Sequence, residues 1–491
     1  MTQEPSDTDE LIAGRIDHYR RLQSSGLPTR FDRTHLADEL HGGYRDLEAA
    51  TETDDEVSVA GRVMLRRSFG KLLFLTLADV SGTIQLFIDR SSVGEDVFAD
   101  VDEIDLGDWV GAVGIVMTTK KGELSVKPGT VTILQKSLRP LPDKWHGLTD
   151  VEARSRQRYL DLIANESSRR VALARSGIIS ELRRQFEARG YIEVETPVLL
   201  SQATGATARP FRTHHHALDQ DMYLRIATEL YLKRLVIGGL EKVFEIGRIF
   251  RNEGIDSTHN PEFTMLESYE ALADYTDIME MVEEMFSAVA RATVGTTVLT
   301  YQGRTVDLEP PYRRVRMCEA VSEAVGEEVT LERTGLEALA SRHGVEVELS
   351  WGPGRIVYEL FEAVVEPSLW DPTFVSHYPT EVSPLAARSP DNPLLTERFE
   401  LFIAGSEYAN AFTELTDPID QRTRFEAQAL AREGGDDEAH PLDEDFLTAL
   451  EYGMPPTGGL GIGVDRLVML LTDQAHIREV ILFPTLRERG T

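Results

Sequence analysis

Residues 248–267 read RIFRNEGIDSTHNPEFTMLE, and the reading of this stretch as a hairpin organises everything around it. Side chains alternate across a strand, so Glu245, Gly247, Ile249, Arg251 and Glu253 share one face of an incoming strand. Gly254 to Pro261 is too polar and turn-rich to continue it and reads as a loop. Phe263, Met265, Glu267 and Tyr269 share a face of the return strand. One face of the ribbon thus displays Arg251, Glu253, Phe263, Glu267 and Tyr269. That set offers a guanidinium for a phosphate, an aromatic ring for a base and carboxylates for an amine. A buried, salt-bridged hairpin is the competing reading.

The chain has 491 residues, 41% of them apolar and 27% charged, enough for two or three domains with a sizeable core. Its single cysteine, Cys318, excludes a disulfide framework and a cysteine-based zinc site, and fits a reducing compartment. The first residues, MTQEPSDTDELIAG, are polar and acidic, unlike a secretory leader, and no run of about 18 apolar residues occurs. The formal net charge of −32 argues against non-specific nucleic-acid binding, yet leaves room for a local basic site.

Outward from the hairpin, the chain divides by pattern. Residues 7 to about 48 have helical spacing, with Arg15, Arg20, Arg21 and Arg30 making a locally basic start. From about Glu56 to Leu134, five strand-length runs follow one another, at the spacing of a small all-β barrel of the oligonucleotide-binding type. RPLPDKWHG (139–147) is bracketed by prolines and reads as a linker. Val171, Ile178, Ile179, Leu182 and Phe186 form the stripe of an amphipathic helix, which runs into GYIEVETPVL, a strand ended at Pro197. Strands dominate from there to Tyr269, and helices fill about 274–292 and 354–366. Mixed elements without βαβ alternation predict an α+β domain built on an antiparallel sheet. REGGDDEAH (432–440) reads as an acidic surface loop.

Two further stretches carry chemistry. In GGLGIGVDRLVMLL (458–471), Gly459, Gly461 and Gly463 fall on one strand face, where missing side chains let a flat ligand approach, and a helix begins near Val464 with Arg466 in its first turn. A dinucleotide fingerprint is excluded because the chain has no βαβ unit there. In RFELFIAGSEYANAFTELTD (398–417), Glu400 and Glu407 flank a turn at Ala404–Gly405, and Asn410, Phe412 and Glu414 alternate on one face. Two carboxylates without nearby His or Cys suit Mg²⁺ bridging phosphates. A glutamate beside an aromatic and an amide suits a cationic ligand. The run His214–His216 cannot converge on one metal from a strand.

The helix-to-Pro197 segment, the Arg251 hairpin and GLGIGVDR resemble, in order, the three motifs of class II aminoacyl-tRNA synthetases. RPLPDKWHGLTDVEARSRQRYLDL, ARPFRTHHHALDQDMYLRIATELYLKRL, FEIGRIFRNEGIDSTHNPEFTMLESY, EVSPLA and TALEYGMPPTGGLGIGVDR are similar to the lysyl-tRNA synthetases of that class, across about residues 10–487. The resemblance implies an N-terminal helical extension (1–50), an OB-fold anticodon-binding barrel (51–138), a linker (139–165) and a catalytic domain (166–491). It also implies ATP-dependent activation of L-lysine to lysyl-adenylate and transfer to tRNA(Lys), with Mg²⁺, in a cytoplasmic homodimer with no membrane association.

Residue by residue, the resemblance implies that Arg251 and Arg466 are catalytic. ATP would be held by Arg251, Glu253, His259, Asn260, Phe263, Glu400 and Arg466, and the metal by Glu400 and Glu407. Lysine would be held by Gly205, Glu229, Arg251, Glu267, Tyr269, Asn410, Phe412 and Glu414. Arg67, Phe74, Gln85 and Glu123 would read the anticodon, although apolar LLFLTL by itself favours Phe74 in a core. Thr258, Thr204 and Ala409 depart from the family pattern; Thr258 replaces a γ-phosphate contact, and Ala409 is expected to narrow the lysine pocket. An acidic substrate, as in the aspartyl and asparaginyl relatives, conflicts with Glu414 and Glu267.

Overall fold

The computed structural model describes residues 7–142, 148–202, 204–205, 208–433 and 442–487. The end of the expected linker (143–147) and most of the acidic stretch at 432–440 lie outside them. The chain forms two compact units, Met1–Thr149 and Asp150–Thr491.

In the first unit, helices Asp7–Ser25 and Ala37–Gly43 precede five strands: β1 (Glu52–Phe69), β2 (Leu72–Ala78), β3 (Thr83–Asp89), β4 (Trp109–Thr118) and β5 (Leu124–Gln135). They close into a barrel in the order β1-β2-β3-β5-β4, as the five-run pattern predicts. Alternation fills the barrel: Leu73, Leu75 and Leu77 of β2 point inward and are buried with Val59, Val63, Leu86, Ile88 and Val110. Each such side chain removed from water contributes about 2 kcal/mol. The short second helix packs Ala37 and Leu40 against this core. The basic start does not survive as a free patch. The Arg15 guanidinium donates to the Ser137 and Arg139 carbonyls at 3.0 and 3.2 Å, and Arg21 bonds Glu103 at 2.8 Å.

The second unit is α+β. Its eight-stranded sheet runs, in spatial order, Arg313–Arg316, Thr373–Ser376, Arg398–Ile403, Ser406–Thr413, Thr457–Gly463, Glu262–Ala271, Lys242–Phe250 and Ile192–Glu193. Neighbours are antiparallel except at the two edges, where the outer pairs are parallel. On one face Phe186, Phe244, Phe286, Leu401, Ala409, Ala411, Leu460 and Ile462 form a core with helices Glu166–Ala188, Tyr275–Thr293 and Val464–Leu471. The alternate residues point to the opposite face and build the site described below.

Three expectations are corrected. In GYIEVETPVL, Leu199 opens a second short strand, Leu199–Leu200, and the stretch before Pro197 is a strand only at Ile192–Glu193. Beyond it, the Glu245 carboxylate accepts from the Thr196 amide at 3.1 Å and its hydroxyl at 2.7 Å, replacing the ladder with a side-chain bond. Strands do make up most of the elements from there to Tyr269, but Glu229–Ile237 (ELYLKRLVI) among them is a helix. Its apolar residues fit period two as well as period 3.6, so pattern alone misassigns it. Finally, residues 139–165 are not all connecting chain. Val151–Arg156 and Arg158–Ala164 are helices of the second unit, tied down by Arg158, which donates to the Leu482 and Arg478 carbonyls at 2.9 and 2.7 Å.

Candidate active site

The hairpin 242–271 forms in the expected register, with Ile249 opposite Phe263 and Glu245 opposite Glu267. The incoming strand nevertheless stops at Phe250, one residue short of Arg251. Arg251 still donates its amide to the Pro261 carbonyl at 2.9 Å, but Pro261 has no N–H to return, so the ladder ends there. Arg251 and Glu253 therefore stand in the loop. The Arg251 guanidinium still lies 5.3 Å from the Phe263 ring centroid, a cation–π distance.

Next to the hairpin, the glycine strand 457–463 runs with Gly459 opposite Tyr269 and Gly461 opposite Glu267; on its other side Gly459 faces Phe412 and Gly461 faces Asn410. The expected face is thus assembled from three adjacent strands. The space left by the missing side chain at Gly459 is occupied by the Glu414 carboxylate and the Tyr269 ring edge rather than standing open to a flat ligand. Helix 229–237 covers this end of the sheet and brings in Glu229 and Lys233. Gly205, at φ +94°, lies against Ala227 and Glu229, where a Cβ would be 3.3 and 3.7 Å from their Cβ atoms. Thr204 is buried and its hydroxyl donates to Asp443 at 3.4 Å. Ala409 does not narrow this pocket, because alternation points it into the core on the other face.

Glu229, Glu267 and Glu414 are all buried in this small volume. Burial, with Glu229 adding repulsion, pushes the Glu267 carboxyl up to about 7, against opposition from the Thr228 bond and Arg251. Burial likewise raises Glu414, opposed chiefly by Lys233. Lys233 has no exposed side-chain surface; its ammonium is 2.6 Å from Glu229 Oε1 and in contact with Glu414 Oε2. Neither oxygen of Glu414 has a hydrogen-bond partner among the described residues, the Oε2 contact with Lys233 being an ion pair. Phe412 provides an apolar wall, its centroid 5.5 Å from the Lys233 ammonium.

A second cluster lies beside it. Glu400 is opposite Asn410 in the strand pair, and the turn between their strands is at Ala404 and Gly405, both at positive φ. Glu400 accepts from Arg398 at 2.6 Å and from the Tyr378 hydroxyl at 2.8 Å. Burial, with Glu407 adding like charge, raises its carboxyl to about 7. Glu407 is partly exposed, and its carbonyl accepts from Arg466 at 2.7 Å. His259 reaches the same guanidinium at 3.5 Å and pairs with Asp256 at 2.8 Å. Asn260 is buried; its amide donates to the Glu262 carbonyl at 2.6 Å, which fixes the loop's return into the strand.

Sequence reading missed three supporting groups. Lys233 sat in the unrecognised helix. Arg398 donates to Asn410 Oδ1 at 3.0 Å as well as to Glu400, so one guanidinium orients both clusters. Asp465 accepts from Arg175 and, at 2.6 Å, from the Thr264 amide, tying the helix that carries Arg466 to the strand that carries Phe263. The R-x-E at 398–400 and the D-R at 465–466 were the available signals.

In the barrel, Phe74 alternates outward between buried Leu73 and Leu75 and is half-buried. Arg67 pairs with it across β1 and β2, its guanidinium 5.9 Å from the ring centroid, while Phe87 packs edge-on at 5.3 Å. Arg67 also donates to Gln85 at 3.1 Å, and Gln85 to Ser125 at 2.9 Å. Glu123 is exposed just before β5. Arg67, Phe74 and Gln85 therefore share one outer face of the barrel.

The chain carries both a barrel of this type and a unit with this sheet and these paired clusters, and comparison with known proteins gives the class. The model for "tRNA synthetases class II (D, K and N)" matches residues 150–487, and one for an OB-fold nucleic acid binding domain matches residues 57–134. The chain belongs to the class II tRNA synthetases of this D, K and N group. Within the group it is similar to the lysine–tRNA ligase of Enterococcus faecalis, at 54% identity over 98% of each chain. It is similar also to the lysine–tRNA ligases of Bacillus subtilis (52% identity, 100% of each) and Thermosynechococcus vestitus (54%, 97% of each).

Proposed function

We propose that this chain activates L-lysine with ATP to lysyl-adenylate and transfers the lysyl group to the 3′ end of tRNA(Lys) for protein synthesis. The observation that carries the reading is the pocket of buried Glu229, Glu267 and Glu414, walled by Phe412 and Tyr269. Buried carboxylates of this number are costly unless a cation joins them, and a lysine brings an ammonium at each end with a methylene stem to lie on Phe412. Glu414, Glu267 and Tyr269 receive the ε-ammonium, and Gly205 and Glu229 the α-ammonium. Asn410, oriented by Arg398, lines the stem.

The lysine carboxylate attacks the α-phosphorus and pyrophosphate leaves; the terminal ribose hydroxyl then attacks the adenylate carbonyl and AMP leaves. No protein nucleophile is needed, so positioning and charge do the work. Arg251 contacts both the carboxylate and the α-phosphate, neutralising the charge that develops between them. Adenine lies on Phe263 with Arg466 on its other side, and Glu253, His259 and Asn260 line the loop over the nucleotide. Thr258 supplies a hydroxyl rather than a guanidinium to the γ-phosphate. Glu400 and Glu407 fit a hard divalent cation: burial, with like charge from Glu407 adding to it, raises the Glu400 carboxyl, and Glu407 stays exposed enough to meet a phosphate. Mg²⁺, if held there by Glu400 and Glu407, would screen the negative charge of the phosphates.

Arg67, Phe74, Gln85 and Glu123 read the anticodon by stacking and base-edge bonds. The chain works as a C₂ homodimer across the segment around Pro197, where Ile192, Val198 and Leu199 leave 50%, 40% and 46% of their surfaces exposed. Its location is cytoplasmic: no helix among the described residues is long and apolar enough to cross a membrane, and a lone cysteine suits a reducing compartment. ATP–pyrophosphate exchange with each of the standard amino acids tests the central reading. Lysine should stand alone, and exchange driven by aspartate or asparagine, with none by lysine, overturns it. Light scattering that gives a fully active monomer at micromolar concentration overturns the dimer.

A further inference from the structure

The lysine pocket already contains a lysine. Lys233 is wholly buried on helix 229–237, with its ammonium 2.6 Å from Glu229 Oε1 and in contact with Glu414 Oε2. These are carboxylates assigned above to the two ends of the substrate, and this inference rests on that assignment. We infer that Lys233 is a positioning and specificity-determining residue: it bridges Glu229 and Glu414, sets a positive charge against both carboxylates before substrate arrives, and fixes how Glu414 meets the pocket.

The surroundings leave this task to Lys233. Around Glu414 stand Glu229 from the helix and Glu267 from the hairpin strand, both of which oppose a further negative charge, with the neutral Tyr269 phenol beside them. Of the other cations, Arg251 acts on Glu267, and Arg234 is committed to Asp443 at 3.1 Å. Phe412 and Phe446 complete the shell with apolar surface. Without Lys233, burial and the neighbouring carboxylates all favour a protonated Glu414. A protonated Glu414 is a neutral hydrogen-bonding group, which no longer selects a cationic side chain over a neutral one of similar length. Lys233 meets Glu414 through Oε2, which leaves Oε1, aimed at the Gly459 Cβ position, for the substrate. It supplies charge without filling the place of the substrate ammonium.

The experiment compares wild type with Lys233→Met, which keeps the stem and removes the charge. Lysine KM in ATP–pyrophosphate exchange should rise at least about tenfold near pH 7 and recover as pH rises, with ATP KM within about twofold of wild type. Calorimetry in buffers of different ionisation enthalpy should show lysine binding releasing about one proton more from the variant than from wild type. Lys233→Arg should restore the wild-type pH profile. A KM raised equally at every pH, or unchanged proton release, makes Lys233 a structural residue only. A KM that falls makes it a competitor of the substrate. Either result overturns the inference.

Should Lys233→Met not fold, wild type decides alone at about pH 8, where Glu267 is mostly ionised. Lysine binding should then release well under one proton, and release of about one or more shows Glu414 protonated in the free enzyme despite Lys233. Wild type that fails to use lysine at all refutes the proposed function instead, so the two failures are distinct.

Discussion

Gly459 and Glu414 interlock: a Cβ at Gly459 would overlap Glu414 Oε1 and stand 2.8 Å from the Tyr269 ring edge. The glycine is therefore a requirement of the amino-acid pocket rather than of backbone conformation. Gly459→Ala should displace Glu414 and Tyr269 together at a cost of about 1–3 kcal/mol. In ATP–pyrophosphate exchange, lysine kcat/KM should fall by about 5- to 150-fold while ATP KM stays near wild type. A variant within twofold of wild type for lysine removes Glu414 from the pocket wall.

Glu414→Gln keeps shape and removes charge. Truncating one partner of a buried charge pair costs about 2–5 kcal/mol, so lysine kcat/KM should drop by about 30- to 5,000-fold. The fully buried Lys233 also loses a counter-ion, so the thermal midpoint should fall. Adding Lys233→Met to Glu414→Gln should restore much of the stability without restoring lysine activation. Recovery of both would mean that Glu414 serves packing alone.

The pH dependence of lysine binding follows from Glu267, whose carboxyl is raised to about 7 by burial and by Glu229. An ammonium favours the ionised form, so lysine affinity should weaken as pH falls from about 8 to 6. Stability of the free protein runs the other way. A carboxyl raised in the folded state contributes stability at low pH that is lost as pH climbs through about 7. Saturating lysine should therefore raise the thermal midpoint more at pH 8 than at pH 6. A lysine dissociation constant flat across this range assigns the ammonium to other groups.

Phe74→Ala removes a ring that stands on the outside of the barrel, between the Arg67 guanidinium and Phe87. Aminoacylation of tRNA(Lys) should lose about 1–3 kcal/mol in kcat/KM, while ATP–pyrophosphate exchange and the thermal midpoint change little. Equal loss in both reactions would return Phe74 to a structural role.

How much of this was legible depends on the range of the interaction. Period-two alternation placed Phe263, Glu267 and Tyr269 on one face, and Asn410 and Phe412 on another, because alternation is a local property of the chain. The same alternation, not applied to Ala409 when the resemblance put it in the pocket, is what points it into the core. The five barrel runs were readable for the same reason. Arg251 was misplaced on the strand because the reading counted alternation past Pro261, whose missing N–H ends the ladder. The helix at 229–237 was lost because Leu230 and Leu232 satisfy both periods. With it went Lys233, whose partner Glu414 lies far along the chain and reaches it only through the fold. Arg398 bonding both Asn410 and Glu400 was hidden likewise, since a cross-strand contact depends on register.

The tie between Asp465 and the Thr264 amide gives the nucleotide slot proposed above a fixed gauge. Phe263 and Arg466, its two jaws, are each one residue from that bond, and Arg175 braces it from the long helix behind the sheet. The jaws are therefore set before a nucleotide arrives, by residues that never touch it. Discrimination among purine triphosphates is then adjustable from the rear of the sheet: lengthening or loosening position 465 would retune the aperture while leaving every contacting side chain in place.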